Sequence, residues 1–156
     1  MSKVDINTEG VHLPAWSSSM CEFGMKVLNE LKCENWELSI LLCDDKKIKL
    51  LNCEYRDKNE PTDVLTFNLG ETIKDGDKTT YLPGDIVISL DTLNENAKYF
   101  QRPVDEELRR LIIHGILHLA GMDHETNDPD EPMLRCQEEI LNKLGIEHII
   151  PSGEKN

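Results

Sequence analysis

An α+β fold, with a single mixed β-sheet of about four strands packed with about five helices, is what the sequence predicts. Three observations carry that expectation. Short apolar or alternating segments and stretches with apolar residues three or four apart follow one another in the order strand, helix, strand, helix, strand, strand, then helices. Glycine and proline mark boundaries between segments, with three glycines and a proline in the polar stretch 70–84, Pro103 between two helical patterns and Gly121 at the end of the second. The chain has 156 residues and no linker-like or repetitive stretch, so residues 1–156 are expected to form one domain with its own core.

The elements follow in order. "KVDIN" near the N-terminus is a short strand, and from Pro14 to about Lys32 Trp16, Met20, Phe23, Val27, Leu28 and Leu31 recur at helical spacing. "WELSILLC", 36 to 43, reads as a strand. "DDKKIKLLNCEYRDK" opens with two acids that favour a helix N-terminus and carries Ile48, Leu51 and Tyr55 at helical intervals. "DVLTFNL", 63 to 69, alternates as a strand with one buried face. Residues 70–84 read as a polar loop, one that allows a hairpin into the next strand, "DIVISL" at 85–90. Two helices follow at 91–101 and 105–120, separated by Pro103, and Gly121 suits a left-handed stop to the second. A last helix runs from about Met133 to Leu144, and "PSGEKN" is expected to be a frayed tail.

Composition narrows the function classes. The net charge is −13, which repels phosphate polymers at long range, so any nucleic-acid role requires a local basic patch. Five cysteines, an odd number with no C-x-x-C pair, argue against a disulfide framework and against a cysteine zinc knuckle. The polar start has the character of neither a signal nor a transit peptide, and the apolar run 111–121 is too short to span a bilayer. A cytoplasmic protein with no membrane partner is therefore expected.

The chemistry concentrates in "HGILHLAGMDH", residues 114–124, in the C-terminal third. His114 and His118 lie four residues apart on a helix, so both rings leave one face a turn apart and can reach one ion. A reversal at Gly121 would bring His124 to the same point. A histidine pair on an apolar helix is often only a packing feature, but five histidines scattered at random would produce this threefold spacing roughly once in two hundred sequences. Three imidazoles with a vacant fourth position describe an open site for one Zn²⁺ ion, whose bound water becomes acidic near neutral pH. The spacing also matches the metzincin pattern H-E-x-x-H-x-x-G-x-x-H, except that the catalytic glutamate is replaced by Gly115. A peptidase of that mechanism is thereby disfavoured. His12 and His148 have no such spacing and read as ordinary.

Together with "LNCEYRDKNEPTDVLTF" (51–67) and "PGDIVISL" (83–90), the segment "ELRRLIIHGILHLAGMDH" (107–124) resembles the YbeY family of endoribonucleases and ribosomal RNA maturation factors. The resemblance implies zinc-dependent, single-strand-specific RNA cleavage in small-subunit rRNA processing and ribosome quality control. It implies His114, His118 and His124 as metal ligands, Arg56 as a catalytic residue, and single-stranded or ribosomal RNA, with ribosomal proteins or the small subunit, as partners. Met122 stands where the family usually has tyrosine.

A guanidinium at Arg56 suits the double oxygen edge of a phosphate, although an Arg followed by Asp near a helix end is usually a solvated charge. Lys46, Lys47, Lys49, Arg56 and Lys58 form the densest basic run, blunted by Asp44, Asp45, Glu54 and Asp57; an RNA track and a simple solvated helix both fit. Thr66 and Asn68 are expected on the cleft side of their strand. Asp123 would either orient an imidazole or shape the turn. Two rival readings remain: a peptidase or amidase with a base from elsewhere, and a non-catalytic ribosome assembly factor whose zinc is closed by a fourth donor such as Cys136 or Glu125.

Overall fold

In the computed structural model, described over residues 1–151, four strands and five helices appear in the anticipated order. These are β1 (Lys3–Glu9), α1 (Ser17–Glu30), β2 (Glu37–Cys43), α2 (Asp45–Arg56), β3 (Val64–Asp75), β4 (Lys78–Ser89), α3 (Leu90–Tyr99), α4 (Val104–Leu119) and α5 (Pro132–Lys143). The expected frayed tail, apart from Pro151, lies outside the described residues. The sheet order is β1-β2-β4-β3, with β1, β2 and β4 parallel and β3 antiparallel to β4. The parallel pairs require crossovers, which α1 supplies between β1 and β2, and α2 with β3 between β2 and β4.

Alternation along the strands sends side chains to two cores. Leu38, Ile40 and Leu42 of β2 and Ile86 and Ile88 of β4 pack with Phe23 and Val27 of α1 and Ile112 and Ile116 of α4. Cys43, Leu65 and Val87 point to the other face and gather around Ile48 of α2. Thus α4 and α2 lie on opposite faces of the sheet. Burial pushes the Cys43 thiol up to about 12, the behaviour of an inert packing thiol.

The stretch 70–84 departs from expectation. Most of it is strand: β3 and β4 continue past the core as a hairpin closed at Gly76–Asp77, where Gly76 has φ +62°. Two residues of β3, Leu69 and Gly70, oppose Pro83 alone, forming a bulge where proline's missing N–H costs no ladder bond. Residues 69–79 are exposed, so no buried face imposes an apolar alternation. That is why the segment reads as loop from sequence.

Candidate metal centre

Helix α4 begins with Asp105, Glu106 and Glu107 at its positive end. It stops through a Schellman arrangement: Gly121 N–H donates to the His118 carbonyl at 3.0 Å, and Met122 N–H to the Leu117 carbonyl at 3.0 Å. Gly121 has φ +98°, a conformation that turns the chain back over the end of the helix. Asp123 Oδ1 accepts the backbone N–H of His124 at 2.8 Å, and His124 faces the pair on α4. The ring centroids of His114, His118 and His124 are 4.6, 5.3 and 5.5 Å apart, and one donor nitrogen from each lies within 4.8 Å of the others. The spacing therefore does bring all three rings to one point.

The outer nitrogen of each ring has a defined partner. His118 Nδ1 donates to the Met122 carbonyl at 3.2 Å and His124 Nδ1 to the Thr126 carbonyl at 2.9 Å. His114 Nδ1 donates to Gln137 Oε1, on α5, at 2.7 Å. A carbonyl oxygen only accepts, so each Nδ1 carries the hydrogen and, in the neutral ring, Nε2 is left with a bare lone pair. His114 Nε2 and His118 Nε2 stand 3.1 Å apart. Two bare lone pairs at that distance repel one another, and a cation between them removes the repulsion. Nitrogens bound at about 2.0–2.1 Å in a tetrahedral site sit about 3.3 Å from each other, so the donor set fits zinc-like ions.

Electrostatics favours the neutral rings. Burial pulls the pKa of His114 below its ordinary value, with the Gln137 hydrogen bond opposing and the neighbouring His124 adding to the effect. Burial lowers His118 as well, helped by His114. Asp123, one of the two roles considered for it, turns out to shape the turn: its Oδ1 is 3.9 Å from His118 Nδ1, farther than the Met122 carbonyl. Among the described residues neither Cys136 nor Glu125 joins the convergent group, which consists of the three histidines.

His114 and His118 open into a cleft of about 670 Å³ whose other wall is β3 and the end of α2. Arg56, Thr66, Asn68, His114, His118 and Asp123 line it. Thr66 and Asn68 thus occupy the cleft side, as expected of that face of the strand. Arg56 ends α2 just before Asp57, which caps the helix in the left-handed region at φ +62°. Its Nη2 donates to the Thr66 carbonyl at 2.7 Å and its Cζ lies 5.4 Å from the Phe67 ring centre. The guanidinium and the imidazoles, 58 positions apart in sequence for Arg56 and His114, therefore share one cleft.

Lys46 and Lys47 sit at the far end of α2, about 15 Å along the axis from Arg56, and Lys47 pairs with Glu9 at 2.9 Å. The basic run thus does not concentrate at the cleft. Gly115 has a packing reason: a Cβ there would meet Ile86 Cδ1 at 2.7 Å, so any side chain in the turn between the two histidines would have to displace Ile86. Sequence reasoning missed Gln137, which lies 23 residues from His114 with no motif connecting them. His148 pairs with Asp105 at 3.0 Å, away from the trio.

Comparison with known proteins decides the relationship. A family model described as Endoribonuclease YbeY matches residues 4–145. The chain belongs to the YbeY family. The Treponema denticola member, named Endoribonuclease YbeY, is 52% identical over 120 residues, 76% of this chain and 77% of that protein. The Treponema pallidum and Borreliella afzelii members, named likewise, are 44% and 46% identical over 90% and 92% of this chain and 89% and 97% of their own. Among solved structures, a Thermotoga maritima protein aligns with TM-score 0.57 and 27% identity over 98% of this chain and 99% of its own. The YbeY match spans every segment of the cleft, from the end of α2 through β3 to Asp123, and His124 beyond it.

Proposed function

We propose that the chain acts as one zinc-dependent endoribonuclease domain, cleaving single-stranded RNA in small-subunit rRNA maturation and ribosome quality control. Family membership supports an endoribonuclease acting in rRNA processing. The observation that carries the mechanistic reading is the convergence of three imidazoles, each with its outer nitrogen engaged, two of which line the same cleft as an arginine. His114, His118 and His124 are the proposed ligands of one Zn²⁺ ion. When bound, such an ion supplies Lewis acidity, polarising a phosphoryl oxygen and acidifying water.

The chain's own residues divide the remaining work. Arg56, steadied by the Thr66 carbonyl, presents further N–H donors to the phosphodiester and opposes the charge that builds on its oxygens during displacement. Thr66 and Asn68 offer polar groups along the strand to the sugar-phosphate backbone. In RNA the 2′-hydroxyl already adjoins the phosphorus, so its attack, with loss of its proton to solvent and departure of the 5′-oxygen, needs no separately positioned water. Peptide hydrolysis by the metzincin mechanism uses a glutamate in the turn between the two helix histidines as its base, and Gly115, packed on Ile86, stands there instead. The small subunit and its proteins are the proposed partners, in a cytoplasmic setting; no helix among the described residues is long and apolar enough to cross a membrane.

Metal analysis together with cleavage of an unstructured RNA and of casein tests the reading. Cleavage of RNA alone, lost on chelation and restored by Zn²⁺, is the expected result. Casein hydrolysis, or RNA cleavage by metal-free protein, would overturn it.

A further inference from the structure

Helix α5 contributes nothing to the lining of the cleft, yet it touches the site through Gln137, which is only 7% exposed. The amide of a glutamine is nearly symmetric in shape but opposite in hydrogen-bonding sense at its two ends. Which end meets His114 therefore decides where that ring carries its hydrogen. If the amino end faced Nδ1, the ring would have to accept there and would carry its hydrogen on Nε2, the atom aimed at the other histidines.

Glu138 settles the orientation. Its carboxylate accepts from Gln137 Nε2 at 3.0 Å, and an ionised carboxylate has no hydrogen to give. That carboxylate is itself held by two donors of Arg110, Nε to Oε2 at 2.9 Å and Nη2 to Oε1 at 3.1 Å. Arg110 in turn is anchored on α4 by Glu106 at 3.4 Å and by Glu107. The order of donors from Arg110 to Glu138, and from Gln137 to Glu138, leaves Gln137 Oε1 as the acceptor for His114 Nδ1. His118 and His124 need no such arrangement, since main-chain carbonyls hold them.

We propose that Gln137, oriented by the Arg110–Glu138 pair, is a positioning residue that locks His114 in the tautomer able to bind a cation. The proposal rests on the metal reading above for its purpose, but the lock itself is a property of the metal-free protein. Gln137 acts through His114 and touches neither substrate nor ion.

The test uses nitrogen-15 correlation spectra of the histidine rings in the full-length, metal-free protein, with Zn²⁺ affinity measured by competition against a chelating indicator. Wild type is expected to show His114 with its hydrogen on Nδ1. Gln137→Leu is expected to move that hydrogen to Nε2 and to weaken Zn²⁺ binding by about 10- to 100-fold, leaving His118 and His124 as they were. Gln137→Glu keeps an acceptor in place and is expected to restore both signals, a rescue that a purely packing role would not require. Should Gln137→Leu fail to fold, Glu138→Gln carries the same question from a side chain that is 46% exposed, with a mixed His114 tautomer and weaker binding expected. An unchanged His114 tautomer and unchanged affinity in the folded variant would overturn the lock. A wild-type protein that shows the Nδ1 hydrogen yet takes up no Zn²⁺ would instead sink the metal reading and leave the lock standing.

Discussion

On the α4 side of the cleft every imidazole has its outer nitrogen engaged by a carbonyl or amide oxygen, whereas on the β3 side Arg56 is held by a single hydrogen bond and one ring face, and is otherwise exposed. The difference follows from what each wall is proposed to meet. A metal ion tolerates little error in ligand direction, so His114 and His118 sit on a helix packed on the sheet and His124 in the turn that follows it, held by hydrogen bonds to Asp123 and the Thr126 carbonyl. A polymer substrate arrives in varied conformations, and a guanidinium anchored at one edge can follow a phosphate while remaining in the cleft.

The comparison breaks most severely on the histidine side. His114→Ala is expected to abolish Zn²⁺ retention and RNA cleavage together, measured by elemental analysis and gel assay on the same sample. On the other wall the two readouts should separate: Arg56→Ala retains stoichiometric metal and loses about 10²- to 10³-fold in cleavage rate, the scale for removing one donor that stabilises developing charge. Arg56→Lys restores only part of that rate because a point charge cannot engage two phosphate oxygens at once. Metal loss in Arg56→Ala would show that the walls are not independent.

The histidine wall was the more legible of the two in the sequence, for a physical reason. His114, His118 and Gly121 belong to one helix and its stop, so their relation is fixed by the 3.6-residue period and by a left-handed turn. Arg56 shares no local geometry with them; only the resemblance of "CEYRDK" to the family linked it to the site, and the sheet then brought it across. The fold was readable wherever burial imposes a period, as in α1, β2 and α4. It was unreadable in the outer half of the β3–β4 hairpin, whose residues face water on both sides. The acceptors for His118 and His124 are backbone carbonyls, which no residue identity can announce.

A smaller effect separates packing from chemistry on the histidine wall. Gly115→Ala puts a methyl group against Ile86, where crowding costs about 1–3 kcal/mol and alanine's helix preference returns up to about 1. A net loss of about 1 kcal/mol corresponds to a melting temperature lower by about 2–4 °C for a chain of this size. Differential scanning calorimetry of the metal-free protein checks it. A gain in stability would mean that Ile86 yields freely and that the glycine answers to something other than this contact.

The smallest expected effect concerns pH and the metal-free fold. His114 and His118 have pKa values lowered by burial, so in mildly acidic solution the unfolded chain binds more protons at these positions than the native one. Stability of the metal-free protein therefore rises with pH through this range: the contribution is present above the unfolded value of about 6.5 and is progressively lost as pH falls below it. Urea midpoints measured from pH 7.5 down to 5.5 should fall more for wild type than for His114→Gln, in which one of the two buried titrating rings is gone. Zn²⁺ uptake should weaken over the same interval, since protons compete for the lone pairs the ion requires. Parallel midpoint curves for the two proteins would mean that solvent reaches the His114 ring as readily as it reaches Arg56, and the contrast between the walls would then vanish.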